Sequence, residues 1–373
     1  MIMRYLYAGL ISVLTLLLVC CSKEPKHVEY GQVSFIDKFP KEITLKEQKP
    51  YMTNLIGAVD IFGLDSVIVL LNWESPYLSA YSANSGNLLG RFVKQGQGPG
   101  EVSDLPANLS LTRKDNDIIL RFSDSNELKY FNLNLTKTLV EDREVYDTIK
   151  TSRLFREAKD IIPLSDTDTI VYYHTFNNDG DLCGNMPIRV IKNGVANEIS
   201  NLRYREGGFD NIGFNTVTFG AAYNPRCGFV AEAMTKMNQI NLYSVKDTTF
   251  RKTICVGKEL DDATEEYAKN RKNWKVCYQQ VQPLGDGFAA LRLENVTSEI
   301  FDEEDFESSL QFFSCMGDPL LEVKIPFTVN SFYIDGNGIL YLFTRMGDSE
   351  SIYRYELPEI KKLATRGLQF PKT

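Results

Sequence analysis

The chain is 373 residues long, 43% hydrophobic and 24% charged, which allows one large domain or two smaller ones and excludes both a disordered chain and a polytopic membrane protein. With 41 Lys and Arg against 49 Asp and Glu the net charge is -8, and no basic stretch interrupts that balance to track phosphates. Nucleic acid is therefore not an expected partner.

The amino terminus has the order of an export signal. Arg4 supplies a positive start, and residues 5–21 then run without a charge around Leu10, Ile11, Val13, Leu14, Leu16, Leu17, Leu18 and Val19. That run is slightly short for a spanning helix, which needs about 20 apolar residues. Leu18-Val19-Cys20-Cys21 resembles a bacterial lipobox. Cys21 is the expected lipid acceptor, because Cys20 then provides the small residue before the cut, whereas acylating Cys20 would put Val19 there. An uncleaved anchor is the alternative. The expected organisation is a lipoprotein signal peptide at 1–20, a lipidated tether at 21–30 and a single domain at 31–373. Removing the signal takes away Arg4 and no acid, leaving a net charge of -9. Two or more acyl chains hold a protein stably at a bilayer surface. Residues 22–26 carry one acid between two bases, unlike the acid-rich stretch that resembles a surface-export tag. The expected location is the periplasmic face of the outer membrane.

Residues 33–36 and 42–46 are short β-prone stretches with no partner in their own neighbourhood. Beyond them a turn followed by an apolar run recurs six times, starting at Val67, Ile118, Ile170, Phe229, Phe288 and Ile339, in steps of 51, 52, 59, 59 and 51 residues. Each run is β-branched or aromatic and too apolar for a one-sided sheet, which suits a strand buried on both faces. Apolar segments precede them at 55–62, 109–111, 161–164, 217–223, 278–284 and 329–334. More alternating strands follow at 77–83, 127–133, 188–191, 239–245, 310–315 and 352–357. Fourth, polar strands fit at 88–93, 136–140, 197–200, 250–255 and 320–325. The unit is a four-stranded antiparallel meander, and six such units predict an all-β, six-bladed β-propeller, whose radial packing leaves only short edges. A two-sheet sandwich is the alternative fold and does not require equal steps.

The sixth unit lacks an outer strand, since Pro358 and a helix-like run at 359–364 follow it. An N-terminal strand, 42–46 or 33–36, is expected to close the ring there. A helix is expected at 260–274, with Asp261 and Asp262 at its start and Lys269, Arg271 and Lys272 near its end. Loop insertions fall at 177–187 and 296–309.

Gly90-Arg-Phe-Val-Lys-Gln-Gly-Gln-Gly-Pro-Gly-Glu101 looks like the G-x-G-P-G-E turn of the TolB-like six-bladed propeller lipoproteins of Bacteroidetes. The passages 221–245 and 332–341 are similar to their middle and last blades. The resemblance implies a propeller and a lipid-anchored envelope location, and it brings no activity or catalytic residues. Within the turn, Gly96, Gly98 and Gly100 are expected to allow positive φ, Pro99 to fix its own φ, and Glu101 to cap backbone donors at a crossover. A phosphate cradle would need a Lys-Ser/Thr pair and a helix after it, and neither follows.

Candidate chemistry is sparse. The two histidines are His27 in the tether and His174 in a strand, and no G-x-S-x-G, H-E-x-x-H or S-x-x-K occurs. Cys183, Cys227, Cys255, Cys277 and Cys315 contain no C-x-x-C and read as buried apolar residues, with one disulfide as an alternative. Asn177-Asn-Asp-Gly-Asp181 fails as an EF-hand, because Thr175 and Met186 occupy its end positions. An irregular site for calcium or another divalent ion there, or at 302–305, is the alternative to a solvated loop. Trp73, Glu74 and Tyr77 place an aromatic pair and a carboxylate in one strand-connecting loop, a candidate contact site. The function expected is a lipid-anchored, non-enzymatic envelope protein that binds a protein, peptide or glycan around its channel. A metal-dependent lactone or ester hydrolase using the channel is the alternative.

Overall fold

The computed structural model describes residues 31–124, 126–151, 158–165, 168–176, 182–192, 195–198, 218–247, 249–261, 275–297, 306–346 and 349–365. The signal peptide, Cys20, Cys21, the tether with His27, most of the helix expected at 260–274 and the acidic run at 302–305 lie outside the described residues. So do the side chains of His174 and Cys183.

An N-terminal segment carries β1 (Gln32–Ile36), β2 (Glu42–Thr44) and β3 (Met52–Thr53). Sheet 1 follows with β4 (Ala58–Leu64), β5 (Val67–Asn72), β6 (Leu78–Ser82) and β7 (Leu88–Phe92). Sheet 2 holds β8 (Ala107–Lys114), β9 (Asp117–Asp124), β10 (Lys129–Asn134) and β11 (Tyr146–Thr151), with helix α1 (Leu135–Glu141) before the last. Sheet 3 holds β12 (Ala158–Pro163), β13 (Asp168–Phe176), β14 (Leu182–Lys192) and β15 (Val195–Glu198). Sheet 4 is built on β16 (Phe219–Asn224), β17 (Phe229–Met234), β18 (Gln239–Ser244) and β19 (Arg251–Val256). Sheet 5 is built on β20 (Lys275–Leu284), β21 (Gly287–Thr297), β22 (Ser308–Ser314) and β23 (Pro319–Ile325). Sheet 6 has β24 (Ser331–Ile334), β25 (Ile339–Met346) and β26 (Ser349–Glu356), after which comes helix α2 (Pro358–Ala364).

This is an all-β propeller arrangement of small antiparallel sheets. The first strand of each sheet is innermost, and these strands touch in chain order, β4 to β8, β12, β16, β20 and β24, with β24 touching β4. The meander gives the molecule two ends. At the hairpin end each inner strand turns into the second strand, as at Asp65–Ser66 and Gly285–Asp286. At the crossover end the outer strand passes to the next inner strand. The hydrophobic core is a set of layers between sheets. Val69, Leu120, Phe122 and Phe131 fill one between sheets 1 and 2, and Leu291, Phe312, Phe332 and Leu342 fill one between sheets 5 and 6. Burial on both sheet faces explains the unbroken apolar letters of the second strands: Val67, Ile68, Val69, Leu70 and Leu71 are all buried.

Two expectations are corrected. Residues 136–140 were expected as the outer strand of unit two and instead form α1. Asn134 caps it by accepting the Lys137 N–H at 3.0 Å, Leu135 and Thr138 face inward, and Asp142 ends it in the left-handed region at φ 51°. The outer position goes to β11, paired antiparallel with β10. The strand beside β26 is neither 33–36 nor 42–46. It is β3, in which Met52 pairs with Ile352 and Thr53 with Ser351. The reason is connectivity: β3 is separated from β4 only by residues 54–57, as an outer strand is from the next inner strand. The two earlier segments lie parallel to outer strands instead, β1 on β19 and β2 on β23. They cover edges that would otherwise present unpaired backbone groups.

Among the described residues Cys227 and Cys315 form a disulfide, with Cα atoms 6.2 Å apart, joining the hairpin-end turns of sheets 4 and 5. Cys255 and Cys277 are buried, as expected, and take no part in a disulfide.

Candidate functional site

Every inner strand is a sheet edge facing the axis, so its outward N–H and C=O groups need partners. Side chains of neighbouring inner strands supply several. Gln280 accepts the Phe332 N–H at 2.8 Å, and Gln282 both accepts the Ile334 N–H at 3.1 Å and donates to the Ile334 carbonyl at 2.8 Å. Ser331 Oγ accepts the Ile61 N–H at 3.2 Å, and Asn224 donates to the carbonyls of Gly285 and Gly287 at 3.0 and 2.8 Å. These amides and hydroxyls stitch adjacent sheets together across the axis.

What they leave open is a cavity of about 760 Å³ lined by all six inner strands. Counting back four residues from each hairpin reaches Asp60, Ser110, Asp160, Gly220, Gln280 and Ser331, one residue from each sheet at a common level. The pairing register slips beside Asp60, Ser110, Asp160 and Gln280, so bulges sit at this level. Asp60 Oδ1 accepts the Ile61 N–H at 2.7 Å, and Asp160 Oδ1 accepts the Ile161 N–H at 2.8 Å, the same local turn in sheets 1 and 3. Enclosure by protein pushes the Asp60 carboxyl up to about 6, against the opposing hydrogen bonds from Ser331 and the Ile61 N–H. The cavity reaches the hairpin end, where Asp65, Arg226, Asp335 and Ala364 of α2 border it. Its acidic and basic lining is therefore four carboxylates, Asp60, Asp65, Asp160 and Asp335, to the one guanidinium of Arg226. Asp65, paired with Arg113, and Asp335, which accepts the N–H groups of Asn337 and Ile339 at 2.9 and 2.8 Å, lie at the hairpin border, whereas Asp60 and Asp160 lie at mid-depth.

None of these lining residues stood out in the sequence. The available signal was a polar residue interrupting an apolar inner strand four positions before a turn, with Asp-Ile recurring at 60–61 and 160–161.

The glycine-rich turn lies at the crossover from β7 to β8. Glu101 Oε2 accepts the Gly98 N–H at 2.8 Å, the Gly96 N–H reaches the Val102 carbonyl at 2.9 Å, and Gln95 bridges to Val102. Pro99 sits between the capped Gly98 and Gly100, and the cap is the role expected of Glu101. The expected positive φ is not found at Gly96, Gly98 or Gly100. The first and last of these glycines are there for space. A Cβ on Gly96 would come within 2.0 Å of the Glu101 carboxylate, and one on Gly100 within 2.8 Å of the Tyr146 ring. The Tyr146 hydroxyl donates to the Gly100 carbonyl at 2.7 Å, and Glu144 accepts the Val93 N–H at 2.7 Å, so the turn is bolted onto sheet 2. Every polar group named here is spent on the chain itself.

Trp73, Glu74 and Tyr77 are not brought together. Tyr77 is 4% exposed and belongs to the core between sheets 1 and 2, whereas Trp73 is 56% exposed and Glu74 is exposed. The Trp73 N–H donates to the Gly57 carbonyl at 2.8 Å, which sets Trp73 beside exposed Ile56 at the crossover end, away from the cavity. Among the described residues no three His, Cys, Asp or Glu side chains gather closely enough to hold a metal ion.

No family model and no curated protein sequence matches the chain. Among solved structures, it is similar to a member of the DUF4221 family from Bacteroides vulgatus, with a TM-score of 0.51 and 11% identity over 89% of this chain and 100% of that one. A Bacteroides fragilis protein named for its expected export gives a TM-score of 0.46 and 11% identity over 83% of this chain and 88% of that one. The major allergen Mala s 1 of Malassezia sympodialis gives 0.44 and 8% over 82% and 92%. At such identity the first likeness speaks for the fold alone. Among the described residues no helix is long and apolar enough to cross a membrane.

Proposed function

We propose that this chain is an exported, lipid-anchored binding protein of the envelope, a six-bladed propeller of the TolB-like kind, closed by its own N-terminal segment and binding a peptide or glycan in its central channel. The observation that carries the reading is the cavity of about 760 Å³, inside the range of small-ligand sites, with Asp60 and Asp160 at mid-depth. Carboxylates accept hydrogen bonds, so a channel lined by four of them suits a ligand rich in donors, such as sugar hydroxyls or a peptide amine. Export is supported by the Leu18-Val19-Cys20-Cys21 signal and by the Cys227–Cys315 disulfide, a bond that persists in oxidising compartments. The outer membrane, on its periplasmic face, is the location that fits the tether.

The test is calorimetric titration of the purified mature protein with cell-wall peptides and oligosaccharides. Binding should be seen, and Asp160→Asn should weaken it by about tenfold, the loss of one charge-assisted hydrogen bond. Turnover of a defined substrate, or affinity indifferent to Asp160, would overturn the reading.

A further inference from the structure

The described chain begins at a definite place on the wall of the propeller. Gly31, at φ 57°, lies against Arg251 so closely that a Cβ would meet the Arg251 carbonyl oxygen at 2.6 Å, and Gln32 pairs with Lys252 at the start of β19. That is the hairpin end. Lys252 Nζ donates to the Met316 carbonyl at 2.8 Å in the turn between β22 and β23, and the neighbouring Cys315 is bonded to Cys227 in the turn between β16 and β17. Helix α2 is at the same end, packed on the turns of sheets 5 and 6 at Gly285 and Gly338 and tied to Lys41 by Glu359 at 2.8 Å. The parallel course of β1 then carries the chain away, until the Ile36 carbonyl accepts the Gly257 N–H at 3.1 Å at the crossover end.

We infer that the hairpin end faces the bilayer and that the crossover end, with Ile56 and Trp73, points away from it. This rests on the lipid anchor at Cys21. Ten residues, 21–30, then separate the acyl chains from Gly31. As a flexible chain they span about 17 Å, and fully extended about 35 Å. Inner strand β4 has seven residues, so the wall is about 23 Å high before its loops are added. Turning the crossover end to the membrane would require a tether stretched to at least about two-thirds of its full length, at a cost in conformational entropy. With the hairpin end down, ten residues suffice without that stretch. The channel border at Asp65, Arg226 and Ala364 then opens toward the lipid headgroups.

The test uses the lipidated protein purified from membranes and reconstituted in phosphatidylethanolamine–phosphatidylglycerol vesicles that contain a headgroup nitroxide. One fluorescent label is placed by Val140→Cys, at a site 80% exposed on α1 at the hairpin end, and another by Ile56→Cys, at a site 86% exposed at the crossover end. Background labelling of the unsubstituted protein is subtracted. Quenching of the Val140→Cys label should exceed that of the Ile56→Cys label at least threefold. Equal or reversed quenching on protein that floats with the vesicles would overturn the orientation and leave the anchor standing. Protein that fails to float would overturn the anchor and the orientation with it.

Discussion

Glu101, in a turn, and Asp60, at a strand bulge, are both single carboxylates that accept a nearby backbone N–H, and their environments give them opposite consequences. Glu101 holds the Gly98 N–H, and Gly96 is a glycine because that carboxylate fills the space where a Cβ would be. Glu101→Ala should cost about 1–2 kcal/mol in urea unfolding, and Gly96→Ala a similar amount. In the double variant the penalties should fall well short of their sum, because a methyl group at position 96 cannot displace a cap that is already gone. Asp60 works the other way. Its folded value of about 6 lies above the ordinary 3.8, so the folded chain holds this proton more tightly than the unfolded chain does. Its contribution is fully present below the ordinary value and is lost as pH rises to about 6, up to about 3 kcal/mol. The difference in unfolding free energy between Asp60→Asn and the parent should therefore grow in favour of the variant from pH 4 to pH 6.5 and then level off. A flat difference would contradict the burial of the charge. The glycine-rich turn was legible in the sequence because its letters are unusual, although the reason for its glycines was room and not φ. Asp60 was not legible, because one aspartate interrupting an apolar strand gives no sign of its role until six inner strands meet around an axis.

At the scale of elements, periodicity served where burial is two-sided. The second strands were visible from their apolar letters, and β5 and β17 fall on the expected runs at 67–72 and 229–234. It failed where local capping outweighed it. Thr136, Thr138 and Val140 alternate like a strand, yet the Asn134 cap and the inward Leu135 and Thr138 make one short helix. It also failed for the N-terminal segment, since β1, β2 and β3 find their partners more than 200 residues away and carry no local record of which edge each covers. Helix α2 depends on two bare turns. Gly338 has φ 79°, and a Cβ there would meet Lys361 Cα at 2.3 Å. Gly338→Ala should lift α2 from the hairpin end, cost about 1–3 kcal/mol and expose the chain after Leu357 to limited proteolysis, read as a clipped band under native conditions.

For the whole molecule, the steps of 51 to 59 residues between apolar runs were the signal of repeated sheets, and small antiparallel sheets with touching inner strands answer to it. The disulfide was left open by the sequence, because cysteines 88 residues apart give no hint that two turns of adjacent sheets meet at one end. In the chain-entropy picture a loop of that length is worth about 4–5 kcal/mol, of which 2–4 is usual. Cys227→Ser should lower the melting temperature by several degrees, and a reductant should do the same to the parent while leaving the variant unchanged.

The belt of β1, β2 and β3 also sets a schedule. Its partners β19, β23 and β26 come more than 200 residues later in the chain, so these early residues are made long before the strands they pair with. Until those strands form, sheets 4, 5 and 6 stand with bare outer rims, and the leading segment must stay solvated and unpaired while the rest of the chain is made. A propeller wired in this way is most vulnerable to aggregation just before its final strand is delivered, and it gains the most from a chaperone at that moment.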